Sequence, residues 1–173
     1  MRCFIAIDFP KEIKEKIKEI QEKLPEFYGK KTEFENLHLT LKFLGEVSKE
    51  KLEHINNGLR TINFKRLECS IDSTGVFSEK YIRIVWLHLN GCSELQKQID
   101  EVLEKMFQKE KRFMGHITIA RVKSIKDKQR FLKEFKKIKF EKIYFKVNSF
   151  YLKRAILKPE GPEYKVLEGF KLA

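Results

Sequence analysis

Apolar residues recur along this chain in two rhythms, one suited to strands and the other to helices. From Cys3 to Phe9 almost every position is apolar, with Phe4, Ile5 and Ile7 at the centre, as expected of a strand buried on both faces. Pro10 then opens a helix at its first turn, with Ile13, Ile17, Ile20 and Leu24 as its inward stripe. After a polar loop, residues 37–44 read as a strand, and Ser48 caps a helix carrying Leu52, Ile55, Leu59 and Ile62 at helical spacing. A strand over roughly 66–76 completes the first half. The second half repeats the order: a strand at about 81–89, then a helix opened by the capping-box pattern Ser93-Glu94-Leu95-Gln96 with Leu95, Ile99, Val102 and Met106 inward. A strand follows at 116–122, then a helix capped by Asp127 that buries Phe131, Phe135 and Ile138, and strands near 143–153 and 164–171.

The two halves are in register. His38 lies 35 positions after Cys3, and His116 lies 35 after Tyr81, two strand starts set without reference to the histidines. The pattern predicts an α+β fold, a pseudo-symmetric bilobal arrangement in which two small, mainly antiparallel sheets face a central cleft with helices on the outside. All 173 residues form one domain in this reading, with duplicated lobes at about 1–78 and 79–173 and the C-terminal strands completing the sheets.

Composition supports one compact core, since 42% of the 173 residues are hydrophobic. Lysine and arginine total 37 against 25 acidic residues, a formal charge of +12, which favours a polyanionic partner over a merely solvated surface. Cys3, Cys69 and Cys92 are odd in number and widely spaced, so neither a disulfide framework nor a thiolate zinc site is supported. The N-terminal apolar run is too short for a signal peptide, and nothing approaches membrane-spanning length. A reducing, cytoplasmic location without membrane attachment is expected.

Candidate chemistry resides in Leu37-His38-Leu39-Thr40-Leu41 and Gly115-His116-Ile117-Thr118-Ile119, which share one His-x-Thr pattern. In a regular strand His38, Thr40 and Lys42 are displayed on one face while Leu39, Leu41 and Phe43 anchor the other; His116 and Thr118 are displayed over Ile117 and Ile119. A single such motif is usually a satisfied structural pair. For two of four histidines to carry threonine two positions on is roughly a half-percent event. Two imidazoles on opposite walls of a cleft suit in-line displacement at phosphorus, one taking a proton and the other supplying one. Threonine hydroxyls can donate to the non-bridging oxygens. Zinc is the competing use of paired histidines, but Glu33, Glu35 and Glu46 lack ligand spacing, so no metal is expected.

At these residues the chain resembles the two-histidine phosphoesterase superfamily, specifically its bacterial and archaeal RNA 2′,3′-cyclic phosphodiesterases, also called 2′-5′ RNA ligases. The resemblance spans Arg2-Cys3-Phe4-Ile5-Ala6-Ile7-Asp8, Asn36 to Gly45, His116-Ile117-Thr118-Ile119-Ala120-Arg121 and the tail Pro159-Glu160-Gly161-Pro162-Glu163-Tyr164. It implies metal-independent hydrolysis of RNA or nucleotide 2′,3′-cyclic phosphates to 2′-phosphates, without cofactor. His38 would be the proton donor to the departing O3′, His116 the proton acceptor from water, and Thr40, Thr118 and Arg121 would bind substrate. With a ribose hydroxyl in place of water the same site would join 2′-5′ ends, tRNA halves among them, and the protein is expected to act as a monomer. Gly115 stands where the family often has proline, and Ala155 where serine is common. Arg121 lies five positions beyond His116, on the opposite face of a regular strand, so either a bulge or the strand end turns it to the displayed face or its role is structural.

The alternatives are a non-catalytic RNA-end binding module and a tRNA-half 2′-5′ ligase accessory. His54 is expected at the surface, and His88, on a face with Ile82, Ile84 and Trp86, is expected to be packed. The basic segment Lys133 to Lys142 reads chiefly as amphipathic patterning. Sequence alone does not sort Phe43, Phe77, Tyr151 and Tyr164 between core and base-stacking platform.

Overall fold

A computed structural model describes all residues from Met1 to Ala173. Strand β1 (Arg2–Asp8) leads into helix α1 (Lys11–Glu22), then β2 (Tyr28–Lys31), a 3₁₀ turn at Phe34–Asn36 and β3 (His38–Glu46). Helix α2 (Lys49–Arg60), β4 (Leu67–Val76), β5 (Ile84–Asn90), α3 (Ser93–Val102) and β6 (His116–Ser124) come next. Helix α4 (Lys128–Phe135), β7 (Ile143–Val147), β8 (Ser149–Lys158) and β9 (Gly161–Lys171) complete the order. The expected α+β fold with two antiparallel sheets is found: one sheet runs β3-β1-β8-β9, the other β2-β6-β5-β4-β7.

The two sequence halves interleave. β4, from the first half, lies beside β5 in the second sheet, while β8 and β9, from the second half, extend the first sheet from β1. Helices cross over in the same way: α1 packs under β6 and β7, and α3 packs under β3. The result is one hydrophobic cluster of 37 residues contributed by both sheets and all four helices. As its composition requires, β1 is buried on both faces from Cys3 to Ile7.

Several boundaries differ from the sequence reading. β2 was expected as loop; its Tyr28-Gly29-Lys30-Lys31 is exposed throughout and carries no hydrophobic alternation. Gly29 has φ 151°, and a Cβ there would lie 2.2 Å from the Arg121 carbonyl, so this edge is fixed by close backbone approach to β6. Ser93 does not cap α3, because the N-cap is Cys92 and makes no side-chain bond. Ser48 and Asp127 do cap, accepting from Lys51 N and Arg130 N at 3.2 and 3.1 Å. Pro10 is the N-cap of α1 and lies outside its first turn. Each helix ends before the last residue of its predicted stripe, and Leu24, Ile62, Met106 and Ile138 pack against the core from the turns beyond. The run 143–153 is two strands broken at Asn148, whose carbonyl accepts from Leu172 N.

Candidate active site

β3 and β6 meet where the sheets adjoin. Their burial patterns are identical over nine residues, with the histidine and threonine half-buried and the intervening Leu39 or Ile117 fully buried. Both strands then show two consecutive buried residues, Leu41 with Lys42 and Ile119 with Ala120, before an exposed one. Strand pairing locates the cause. On β1, Ile5 and Ala6 face Lys42 and Thr40; on β5, Val85 and Trp86 face Ala120 and Thr118, so Leu41 and Ile119 are extra residues in β-bulges.

Each bulge reverses the facing of the residues beyond it. Arg121 is thereby returned to the side of His116 and Thr118 and lines the cleft. The same shift corrects the expectation for β3. Lys42 does not stand beside His38 and Thr40: it is 3% exposed, with Nζ 2.6 Å from Asp100 Oδ1 and 2.7 Å from the Gln108 carbonyl. Phe43, expected as an anchor, is 72% exposed and lines the cleft.

His38, Thr40, His116, Thr118 and Arg121 all border a single cleft of about 520 Å³, together with Arg2, Lys30, Lys31, Asn36 and Tyr164. Each histidine is oriented by a carbonyl two residues upstream: His38 Nδ1 lies 2.7 Å from Asn36 O, and His116 Nδ1 lies 2.9 Å from Met114 O. A carbonyl only accepts, so Nδ1 carries hydrogen in both rings and Nε2 is the basic nitrogen of the neutral imidazole. His38 Nε2 is 3.0 Å from Thr40 Oγ1, which donates to it when the ring is neutral. Burial pushes the His38 imidazole down to about 4, aided by Lys153 and Arg121, against the Asn36 bond and the Asp8 carboxylate, which favour the charged ring. Asp8 is itself paired with Lys153.

Aromatic rings flank both imidazoles. Tyr164 meets His38 edge-on with centroids 5.0 Å apart, Phe4 lies 5.2 Å from the same ring, and Phe77 meets His116 at 5.1 Å. Burial raises the Tyr164 hydroxyl pKa, while nearby Arg121 opposes that shift. Tyr164 is carried in by the β8–β9 hairpin, which is tied across the cleft mouth: Lys30 donates to Glu160 O at 2.6 Å and pairs with Glu33. Asn36 Nδ2 donates to Pro162 O at 3.0 Å and to Glu33 Oε2 at 3.2 Å. Gly161 (φ 134°) sits against that pair, where a Cβ would lie 2.9 Å from both Lys30 Nζ and Glu33 Oε1. This accounts physically for the tail pattern read from the sequence. The sequence reading missed Asn36 and Lys30 as site-forming residues, because their partners are more than a hundred positions away.

His54 is exposed, as expected. His88 is not packed: it lies across from His116 on the neighbouring strand, part-exposed, with Nδ1 2.9 Å from Asp72 Oδ1. No group of three or more His, Cys, Asp or Glu side chains is disposed to hold a metal ion. No helix is long and apolar enough to cross a membrane.

The sequence model of the LigT like phosphoesterases matches residues 7–86 and 89–164. The chain belongs to that family. An RNA 2′,3′-cyclic phosphodiesterase of Methanocaldococcus jannaschii is 37% identical over 175 residues, covering 97% of this chain and 99% of its own. One from Archaeoglobus fulgidus is 36% identical, covering 99% and 100%. Among LigT-like crystal structures, Thermus thermophilus TT0787 superposes with a TM-score of 0.82 at 28% identity, covering 99% of this chain and 98% of its own. Escherichia coli LigT complexed with 3′-AMP gives 0.80 at 27% identity, covering 99% and 97%.

Proposed function

We propose that this protein hydrolyses the 2′,3′-cyclic phosphate of RNA ends and nucleotides to a 2′-phosphate, with His38 and His116 as its acid–base pair. The observation that carries this reading is the duplicated geometry in which a backbone carbonyl fixes Nδ1 of each imidazole, so that Nε2 is the nitrogen that exchanges a proton, with Thr40 Oγ1 3.0 Å from it in His38. Arg121 and the hydroxyls of Thr40 and Thr118 hold the non-bridging oxygens and stabilise their growing charge. His116 Nε2 takes a proton from water as its oxygen attacks phosphorus, the P–O3′ bond breaks, and His38 Nε2 protonates O3′. The acid role requires His38 to gain a proton that its burial disfavours. A single phosphate charge at about 4 Å contributes ~4 kcal/mol at an effective dielectric of 20, about three pKa units, which lifts the imidazole into the neutral range.

The names carried by the archaeal relatives support the substrate class. The same site with a ribose hydroxyl replacing water would join 2′-5′ ends such as tRNA halves. Phe43, exposed on the cleft wall, offers a face for the nucleobase.

One observation favours exchanged roles: an imidazole kept neutral at pH 7 is ready-made as the base. Product identity tests which ester oxygen leaves. An oligonucleotide ending in a 2′,3′-cyclic phosphate, incubated with chelator present, is expected to yield the 2′-phosphate; a 3′-phosphate would overturn the assignment. His38→Ala and His116→Ala are each expected to lower kcat by about 10²–10⁴-fold. Binding without turnover by the wild type would instead indicate an RNA-end binding module, and accumulation of joined 2′-5′ product a ligase.

A further inference from the structure

Both bulges are held from beneath by a polar side chain of the opposite half. In β6 the extra residue is Ile119, and its carbonyl accepts from Thr32 N at 2.9 Å and from Gln21 Nε2 at 2.9 Å. Gln21 sits on α1, is 4% exposed, and also donates to Thr32 O at 3.0 Å. The extra residue has no partner on β5, so donors fixed on its carbonyl from the other side favour the bulged form over the regular one.

In β3 the residue after the extra one is Lys42, which period two would leave on the wet face beside Thr40. A lysine enters a core only to meet a counter-charge. Asp100 on α3 supplies it, being 4% exposed and fixed through its second oxygen by Gln96 Nε2 at 2.9 Å and Glu110 N at 2.8 Å.

We propose that Gln21 and Asp100 are positioning residues, each selecting the bulged form of the other half's catalytic strand and so turning Arg121 and Phe43 into the cleft. The inference rests on the proposed function, in which those two side chains contact the substrate. Neither Gln21 nor Asp100 touches the cleft itself, and each acts through the strand it holds. Helix crossover makes the arrangement reciprocal, since α1 follows β1 yet holds β6, and α3 follows β5 yet holds β3.

The test pairs crystallography with a double-mutant cycle. In Gln21→Met, Arg121 is expected to leave the cleft, and kcat/KM to fall about tenfold, with Gln21→Met/Arg121→Ala no worse than Arg121→Ala alone. Should Gln21→Met fail to fold, Gln21→Asn keeps the amide but is one methylene too short, and the same outcome is expected. In Asp100→Leu, Phe43 is expected to turn from the cleft and KM to rise. Adding Lys42→Met should restore both, because methionine keeps to the core without a partner. Multiplicative losses in the cycle, an Arg121 that stays in place in folded Gln21→Met or Gln21→Asn, or no rescue by Lys42→Met would overturn the proposal. If Arg121→Ala costs nothing in a hydrolytically active protein, the catalytic reading of Arg121 fails, while its position in the Gln21 variants still decides the anchoring.

Discussion

In the proposed mechanism His38 hands over a proton, yet burial pushes its imidazole down to about 4. The free protein should therefore show a His38 NMR titration midpoint near that value, and inorganic phosphate or a 2′-nucleotide should move it upward. A midpoint indifferent to the anion would contradict the charge-assisted acid. The same shift bears on stability. An unfolded histidine titrates near ~6.5, so between about 6.5 and 4 the unfolded chain binds the additional proton. The stability that neutral His38 contributes is complete above that window and is lost as pH falls through it. Phe43→Ala should raise KM by about fivefold or more with kcat nearly unchanged, if a base stacks there, measured on a substrate carrying its nucleobase. Residue by residue, the placing of both His/Thr pairs on the cleft was legible because period two holds from His38 to Thr40 and from His116 to Thr118. It failed at Lys42, Phe43 and Arg121, whose facing is set by Asp100 and Gln21, residues on helices remote in sequence.

Strands and helices were recovered where one face is apolar and lost where it is not. β2 is all exposed and held by backbone approach, a feature with no side-chain signature. Ser93 looked like a cap because the motif records residue types, whereas the chain enters α3 one residue earlier. β4 supplies a packing prediction. A Cβ on Gly75 would meet the Trp86 ring at 2.2 Å, and that ring lies tilted against Phe77, which in turn meets His116 edge-on. Gly75→Ala should lower unfolding free energy by about 1–3 kcal/mol in a urea melt and disturb the His116 wall; an unchanged midpoint would show that Trp86 repacks freely.

Across the whole molecule, the formal charge of +12 should be felt most by longer RNA. KM for an oligonucleotide with a cyclic end should climb with salt more steeply than KM for a mononucleoside cyclic phosphate, the log–log slope growing by about 0.7 per additional phosphate contacted. Equal slopes would confine recognition to the terminal phosphate. The α+β class was readable from the alternating strand and helix rhythms, but the exchange of strands and helices between the sequence halves was not, since periodicity says which face is buried and not against what. That exchange governs biosynthesis. β1 is flanked by β3 on one side and by β8 on the other, so a nascent chain halted before Ser149 leaves its first strand with an open edge, exposing backbone groups to stray pairing. The ribosome must deliver the chain through β7 and β8 before either wall of the cleft can close on its core, and a chain halted midway has neither wall complete.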